Sequence, residues 1–181
     1  MAEAENSTPP SPLWGGVGEG VFQPRRIDEF HVRLPWPPTV EEPARRVLEA
    51  AIGWIGTPYR HQASQKGVGC DCLGLVRGIW REVYDREPEM PGPYAPDWAE
   101  AGGGDPLVEA ARRHCRERPV AEARPGDLLL FRWRAHLPAK HAGILFDERR
   151  FLHAYEGHAV TISALVPQWR QRIAAVFAFP D

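Results

Sequence analysis

A chain of 181 residues with 43% hydrophobic residues is long enough for one well-buried domain, and its formal net charge of −2 offers no surplus to hold nucleic acid or an anionic membrane. Three cysteines, an odd number, fit neither a fully paired disulfide framework nor a zinc site built from four cysteines. No charged segment followed by an apolar run opens the chain, and no stretch approaches the ~18 apolar residues of a membrane span. Folding in a reducing cytoplasm is the expectation, with export by another route left open.

The first forty positions carry seven prolines and four glycines with little apolar periodicity. Residues 1–38 are therefore expected to be a Pro/Gly-rich leader followed by an extended arm, and residues 39–181 the functional domain. In EEPARRVLEAAIGWIG, residues Ala44, Val47, Leu48, Ala51, Ile52 and Ile55 fall on one stripe, with Pro43 in the first turn and Gly56 at the stop, which predicts a helix. The piece TPYRHQASQKGVG reads as a turn.

A second helix is predicted in GVGCDCLGLVRGIWREVY, where Leu73, Val76, Ile79, Trp80 and Val83 recur at helical spacing. Asp71 is placed to cap it, which makes Cys72 the first helical residue. At that position unpaired backbone N–H groups and the positive end of the helix dipole favour a thiolate, the form that attacks carbonyls. The residues alone leave a second reading open, in which Cys72 is simply a small buried side chain. The two helices are expected to pack against one another. From Asp85 to Gly104 the chain is too rich in proline and glycine for regular structure and reads as a long functional loop or cleft wall. Asp105 and Pro106 then cap a short helix with Leu107, Val108, Ala111 and Cys115 on one face, so Cys115 is read as structural.

After Pro125 the period changes. RPGDLLLFRWR, HAGILFD, RFLHAYE, HAVTISAL and RIAAVFAF are short β-rich runs separated by turn residues, as in an antiparallel sheet. Helices followed by strands give an α+β fold with N-terminal helices packed on a central antiparallel sheet.

A cysteine nucleophile needs a base within hydrogen-bond reach, and the base an orienting partner. Seven histidines are present, so position decides. His141 opens a strand beside Gly143, and His153 lies on the strand expected to pair with it through the turn FDERR, which puts both imidazoles on one sheet face. The alternative is a pair of sheet histidines satisfied by backbone carbonyls. His61, His136 and His158 read as surface or loop residues, and His31 and His114 are set aside.

These motifs carry a resemblance. From about Val40 to Phe179 the chain resembles the NlpC-type cell-wall peptidases, papain-like cysteine enzymes: D-C-x-G-L-V at Asp71–Val76, P-G-D-L-L-x-F at Pro125–Phe131, H-x-G-I at His141–Ile144, F-x-H-A at Phe151–Ala154 and G-T-P-Y at Gly56–Tyr59. The resemblance implies that Cys72 is the nucleophile, His141 the base and His153 its orienting partner. It further implies Tyr59 and Asp71 as substrate or oxyanion contacts, with no cofactor and no metal. The implied substrate is the peptidoglycan stem peptide, cut between D-glutamate and a diamino acid. More narrowly, WIGTPYRHQASQKGVGCDCLGLVRGIW resembles peptidases encoded among tail genes of phages and gene transfer agents. This resemblance implies other tail proteins as partners, no nucleic acid, and action on the wall in the periplasm after cytoplasmic synthesis. Leu73 departs from the commoner serine, and Cys70 adds a thiol read as a packed bystander. Two rival functions share these residues: a non-catalytic structural or adaptor protein of a tail tip, and an amidase or acyltransferase of the same fold.

Overall fold

The computed structural model describes residues 40–92, 94 and 104–181. The expected leader and arm, and most of the loop after Pro91, lie outside the described residues. Helix α1 spans Glu42–Ile52, with Pro43 in its first turn and Val47, Leu48 and Ala51 buried. It ends at Gly53, short of the expected stop, and Gly56 takes a positive φ of 84° in the turns that follow. Helix α2, Cys72–Tyr84, begins where expected: Asp71 caps it by accepting a hydrogen bond from the Gly74 N–H at 2.7 Å. Helix α3, Pro106–His114, is capped by Asp105, and Cys115 lies just past its end in extended backbone, half-buried.

The piece read as a turn between α1 and α2 forms a small ribbon, β1 (Ser64–Gln65) paired with β2 (Gly69–Cys70). Its two-residue strands are too short to leave an alternation in the sequence.

Six strands form the central sheet: β3 (Arg116–Arg118), β4 (Leu128–Phe131), β5 (His141–Asp147), β6 (Arg150–Ala154), β7 (Val160–Ala164) and β8 (Ile173–Ala178). Their order is β3-β8-β4-β5-β6-β7, with every neighbouring pair antiparallel. The expected α+β class and antiparallel sheet are both present. The unexpected strand is β3, whose sequence Arg-Glu-Arg carries no apolar residue; it sits at the sheet edge, where charged side chains reach solvent.

One face of the sheet, including Leu128, Leu130, Ala142, Ile144, Leu152 and Phe177, packs against α1, α2 and α3 through Leu48, Leu75, Ile79, Trp80 and Leu107. The other face carries Leu129, Phe131, Leu145, Phe151 and Val176, and is covered by Leu165 and by Trp169 of the short helix α4, Pro167–Arg170. Burial on both faces explains why Leu128–Phe131 is apolar without alternation. The P-G-D turn before β4 follows from two demands. Gly126 has φ 93°, and a Cβ there would stand 2.7 Å from the Ala44 side chain of α1. Asp127, 3% exposed, accepts from the Arg124 N–H at 2.8 Å and lies 3.3 Å from the Arg118 guanidinium.

Candidate active site

Asp71 organises the start of α2, where Cys72 is the first helical residue. Only 2% exposed, its carboxylate accepts from the Gly74 N–H through Oδ1, and from the Gln62 N–H at 2.7 Å and the Tyr94 hydroxyl at 2.6 Å through Oδ2. His61 Nδ1 stands 3.5 Å from the same oxygen, while His61 Nε2 and Gln62 Nε2 both meet the Tyr94 carbonyl, at 2.9 and 2.6 Å. The cap is thus tied to the loop after α2 through Tyr94. As an acceptor already engaged by three donors, Asp71 is built to fix the helix start and offers no donor to an oxyanion.

Cys72 is half-buried, and the backbone N–H groups of Ala142, Leu73 and Cys72 are directed at its sulfur. The Ala142 amide belongs to β5, so the strand that begins with His141 reaches Cys72 through its next residue. Burial pushes the Cys72 thiol up to about 12, with the Asp71 charge adding to the rise, and the three N–H groups offset only part of it. This corrects the expectation of a thiolate set by the helix dipole alone. At this helix start the loss of water and a carboxylate next door outweigh the dipole and favour the neutral thiol.

The two strand histidines meet as the hairpin geometry requires. His141 Nε2 and His153 Nδ1 are 2.9 Å apart, and His153 Nε2 lies 2.8 Å from Ser163 Oγ on β7. Leu145 pairs with Phe151 and Ile144 with Leu152, so the extended register sets Gly143 opposite His153 and His141 on the diagonal. A side chain at Gly143 would crowd this meeting: a Cβ would stand 2.9 Å from the Leu152 carbonyl oxygen and 3.3 Å from His153 Cβ. Both imidazoles share the sheet face opposite the helices, with His141 the first residue of its strand.

Aromatic rings wall in the pair. Trp169 lies 5.7 Å from the His141 ring and 5.6 Å from His153, Trp133 stacks on His141 at 6.1 Å, and Phe151 lies 4.4 Å from His153. Burial pushes His141 down to about 4, and holds His153, which is fully buried, well below its ordinary value with the His141 charge adding to the effect. Both rings are neutral at neutral pH.

Tyr59 pairs with Cys70 and takes the His158 carbonyl through its N–H at 3.0 Å. Burial raises its phenol, with Cys72 the largest charge contribution. Cys70 is fully buried, its thiol pushed up to about 12 by burial, as fits a packed bystander. His61, His136 and His158 are exposed. The residues not foreseen are Tyr94, Ser163, Trp133 and Trp169. Ser163 left one trace: in VTISA the polar Thr161 and Ser163 alternate with Val160 and Ile162, marking a polar face next to His153. Among the described residues no group of three His, Cys, Asp or Glu could hold a metal ion, and no helix is long and apolar enough to cross a membrane.

A thiol at the head of a helix, packed on an antiparallel sheet that carries two hydrogen-bonded imidazoles, defines the papain-like class of α+β architecture. Residues 56–177 match the NlpC/P60 family, and the chain belongs to that family. It is 28% identical over 134 residues to the murein DD-endopeptidase and murein LD-carboxypeptidase MepS of Escherichia coli, covering 70% of this chain and 58% of the relative. It is also 28% identical over 146 residues to the gamma-DL-glutamyl hydrolase of Bacillus subtilis, covering 80% of this chain and 31% of that one. The chain thus spans less than two thirds of the length of either. The crystal structure of a lipoprotein-like NLP/P60 protein from Staphylococcus aureus shares the fold with a TM-score of 0.54 at 18% identity, over 78% of this chain and 42% of the other.

Proposed function

We propose that this protein is a cysteine peptidase that hydrolyses amide bonds in peptidoglycan stem peptides, with Cys72 as nucleophile, His141 as base and His153 as the residue that orients it. The observation that carries the reading is the 2.9 Å contact between His141 Nε2 and His153 Nδ1 on the strand whose next amide, Ala142, is directed at the Cys72 sulfur. That contact engages one nitrogen of His141 and leaves Nδ1 to take a proton. Since thiol and imidazole are both neutral at rest, the proton passes from Sγ to His141 as the sulfur bonds to the substrate carbonyl carbon. The oxyanion meets N–H groups at the helix start, with the Tyr59 hydroxyl our candidate for a second donor. His141 then returns the proton to the leaving amine, and water hydrolyses the thioester.

The bond between D-glutamate and a diamino acid is our reading of the substrate, supported by the resemblance of the D-C-x-G-L-V and H-x-G-I motifs and by the name of the Bacillus relative. The resemblance of Trp54–Trp80 to tail-encoded peptidases supports a cell-wall hydrolase made in the cytoplasm, carried with tail proteins of a phage-like particle, and acting in the periplasm during DNA delivery. The test is digestion of purified peptidoglycan and of defined muropeptides, read by mass spectrometry. Cys72→Ala is expected to abolish cleavage with the fold intact and Cys70→Ala to leave it; undiminished cleavage by Cys72→Ala would end the proposal. A non-catalytic tail-tip adaptor is the second reading, favoured by the raised Cys72 thiol, and it predicts no cleavage by the unaltered protein. The same digestion, extended to acyl acceptors other than water, separates an amidase or acyltransferase from a peptidase.

A further inference from the structure

We propose that Ser163 is a positioning residue: its hydroxyl accepts a hydrogen bond from His153 Nε2–H, and so fixes the proton arrangement of both imidazoles in the one form that leaves His141 Nδ1 as a base. The inference rests on the reading of Cys72, His141 and His153 given above.

The contacts form one line across three strands. His141 on β5 meets His153 on β6 at 2.9 Å, and His153 meets Ser163 on β7 at 2.8 Å. Ser163 pairs with Phe151 and His153 with Thr161, so the serine lies diagonal to His153 on the same face, as His141 does from the other side. Two arrangements of protons satisfy these contacts. In one, Ser163 turns its hydroxyl proton inward and donates to His153 Nε2, and His153 carries its proton on Nδ1 and donates to His141 Nε2; neutral His141 is then protonated on Nδ1 and has no lone pair there for a thiol proton. In the other, Ser163 accepts from His153 Nε2–H, His153 Nδ1 accepts from His141 Nε2–H, and His141 Nδ1 is bare. The second is also the arrangement that survives proton uptake. An imidazolium at His141 must donate from Nε2, and His153 Nδ1 is already waiting as the acceptor, so no ring has to exchange protons with solvent during the reaction.

Burial makes the choice matter. His153 is fully buried and walled by Phe151 and Trp169, so an Nε2–H without Ser163 has no water to turn to. Ser163 is half-buried, so its own hydroxyl proton can face solvent while the oxygen accepts from the ring. The serine is thus the outer end of the line.

The test joins histidine ring nitrogen NMR, which reports the tautomer directly, with muropeptide hydrolysis. The unaltered protein at neutral pH is expected to show both His141 and His153 protonated on Nε2. In Ser163→Ala the His153 signal is expected to move toward a mixture of tautomers and kcat to fall about tenfold with KM unchanged, the loss of one hydrogen bond to a buried donor. Ser163→Thr, which keeps the hydroxyl, is expected to restore both. In a His153→Ala background Ser163→Ala is expected to have no further effect. Unchanged ring tautomers in Ser163→Ala, or an equal fall in kcat with and without His153, overturns the inference. These outcomes are separate from failure of the peptidase reading, which shows as full activity in Cys72→Ala; the ring spectra need no turnover.

Discussion

Lowering the pH from 7.5 to 5 is expected to cost the fold about 2 kcal/mol through His141 alone. The ring titrates near its ordinary 6.5 in the unfolded chain and at about 4 in the folded protein. At pH 5 the unfolded chain is about 97% protonated at this position and the folded protein about 9%, and linkage converts that difference to the figure given. The sign follows from proton count. Between 6.5 and 4 the unfolded state binds more protons, so the stability present above pH 6.5 is lost as pH falls and the loss levels off below 4. His153, also held down by burial, adds in the same direction. Glu87, Glu89 and Asp147 are held low by arginine partners and act mainly below their ordinary 4.5 and 3.8, while Asp127, raised by burial, works in the opposite sense as pH falls, so the histidine share is read against a variant that lacks both rings. Urea unfolding at pH 7.5, 6.5, 5.8 and 5 measures the slope, and the midpoint temperature should fall by about 4–8 °C for a chain of this size. Flat stability across that window, or an undiminished slope in the His141→Gln, His153→Gln double variant, would refute the argument that the aromatic wall holds the rings neutral.

Gly74→Ala is expected to destabilise by about 2–3 kcal/mol, because a Cβ there collides with the Ala63 carbonyl, whose oxygen accepts from the Asp71 N–H; thermal melts check it, and a change under 0.5 kcal/mol would show that the segment yields freely. Tyr94→Phe removes the hydroxyl donor from Asp71 Oδ2 while Gln62 N–H stays, so a loss of about 1–2 kcal/mol in chemical unfolding is expected. Trp169→Ala opens the ring wall to water, and the His141 titration followed by NMR should climb from about 4 back toward 6.5. Alkylation of Cys72, resolved by peptide mass spectrometry, should keep rising with pH through 9; a plateau below pH 8.5 would contradict a thiol pushed up by burial.

What could be read from the residues depended on how local the cause was. Asp71 as the cap of α2 needs only the order Asp-Cys followed by an apolar stripe, and the cap is there. The meeting of His141 and His153 needs a hairpin of known register, which HAGILFD, a short turn and RFLHA supply by alternation alone. The ribbon between α1 and α2 and the charged edge strand β3 were not legible, because their backbone pairing is set by neighbours distant in sequence rather than by their own side chains.

The ionisation of the site is where local reasoning gave the opposite sign. A helix start favours an anion, and that much is written in the spacing of Leu73, Val76 and Ile79. Whether Cys72 becomes one depends on how much water is removed and which charges stand beside it, and those are set by Asp71, by the packing of α2 on β5 and by the rings of Trp133 and Trp169 around His141. The sequence by itself determined the three longer helices, the apolar strands, the cap and the two imidazoles on one face, because helix and strand periods are local. Only the tertiary structure decided that Ser163 ends the line and that thiol and imidazole rest neutral, because desolvation and diagonal contacts are sums over residues the chain brings together from afar.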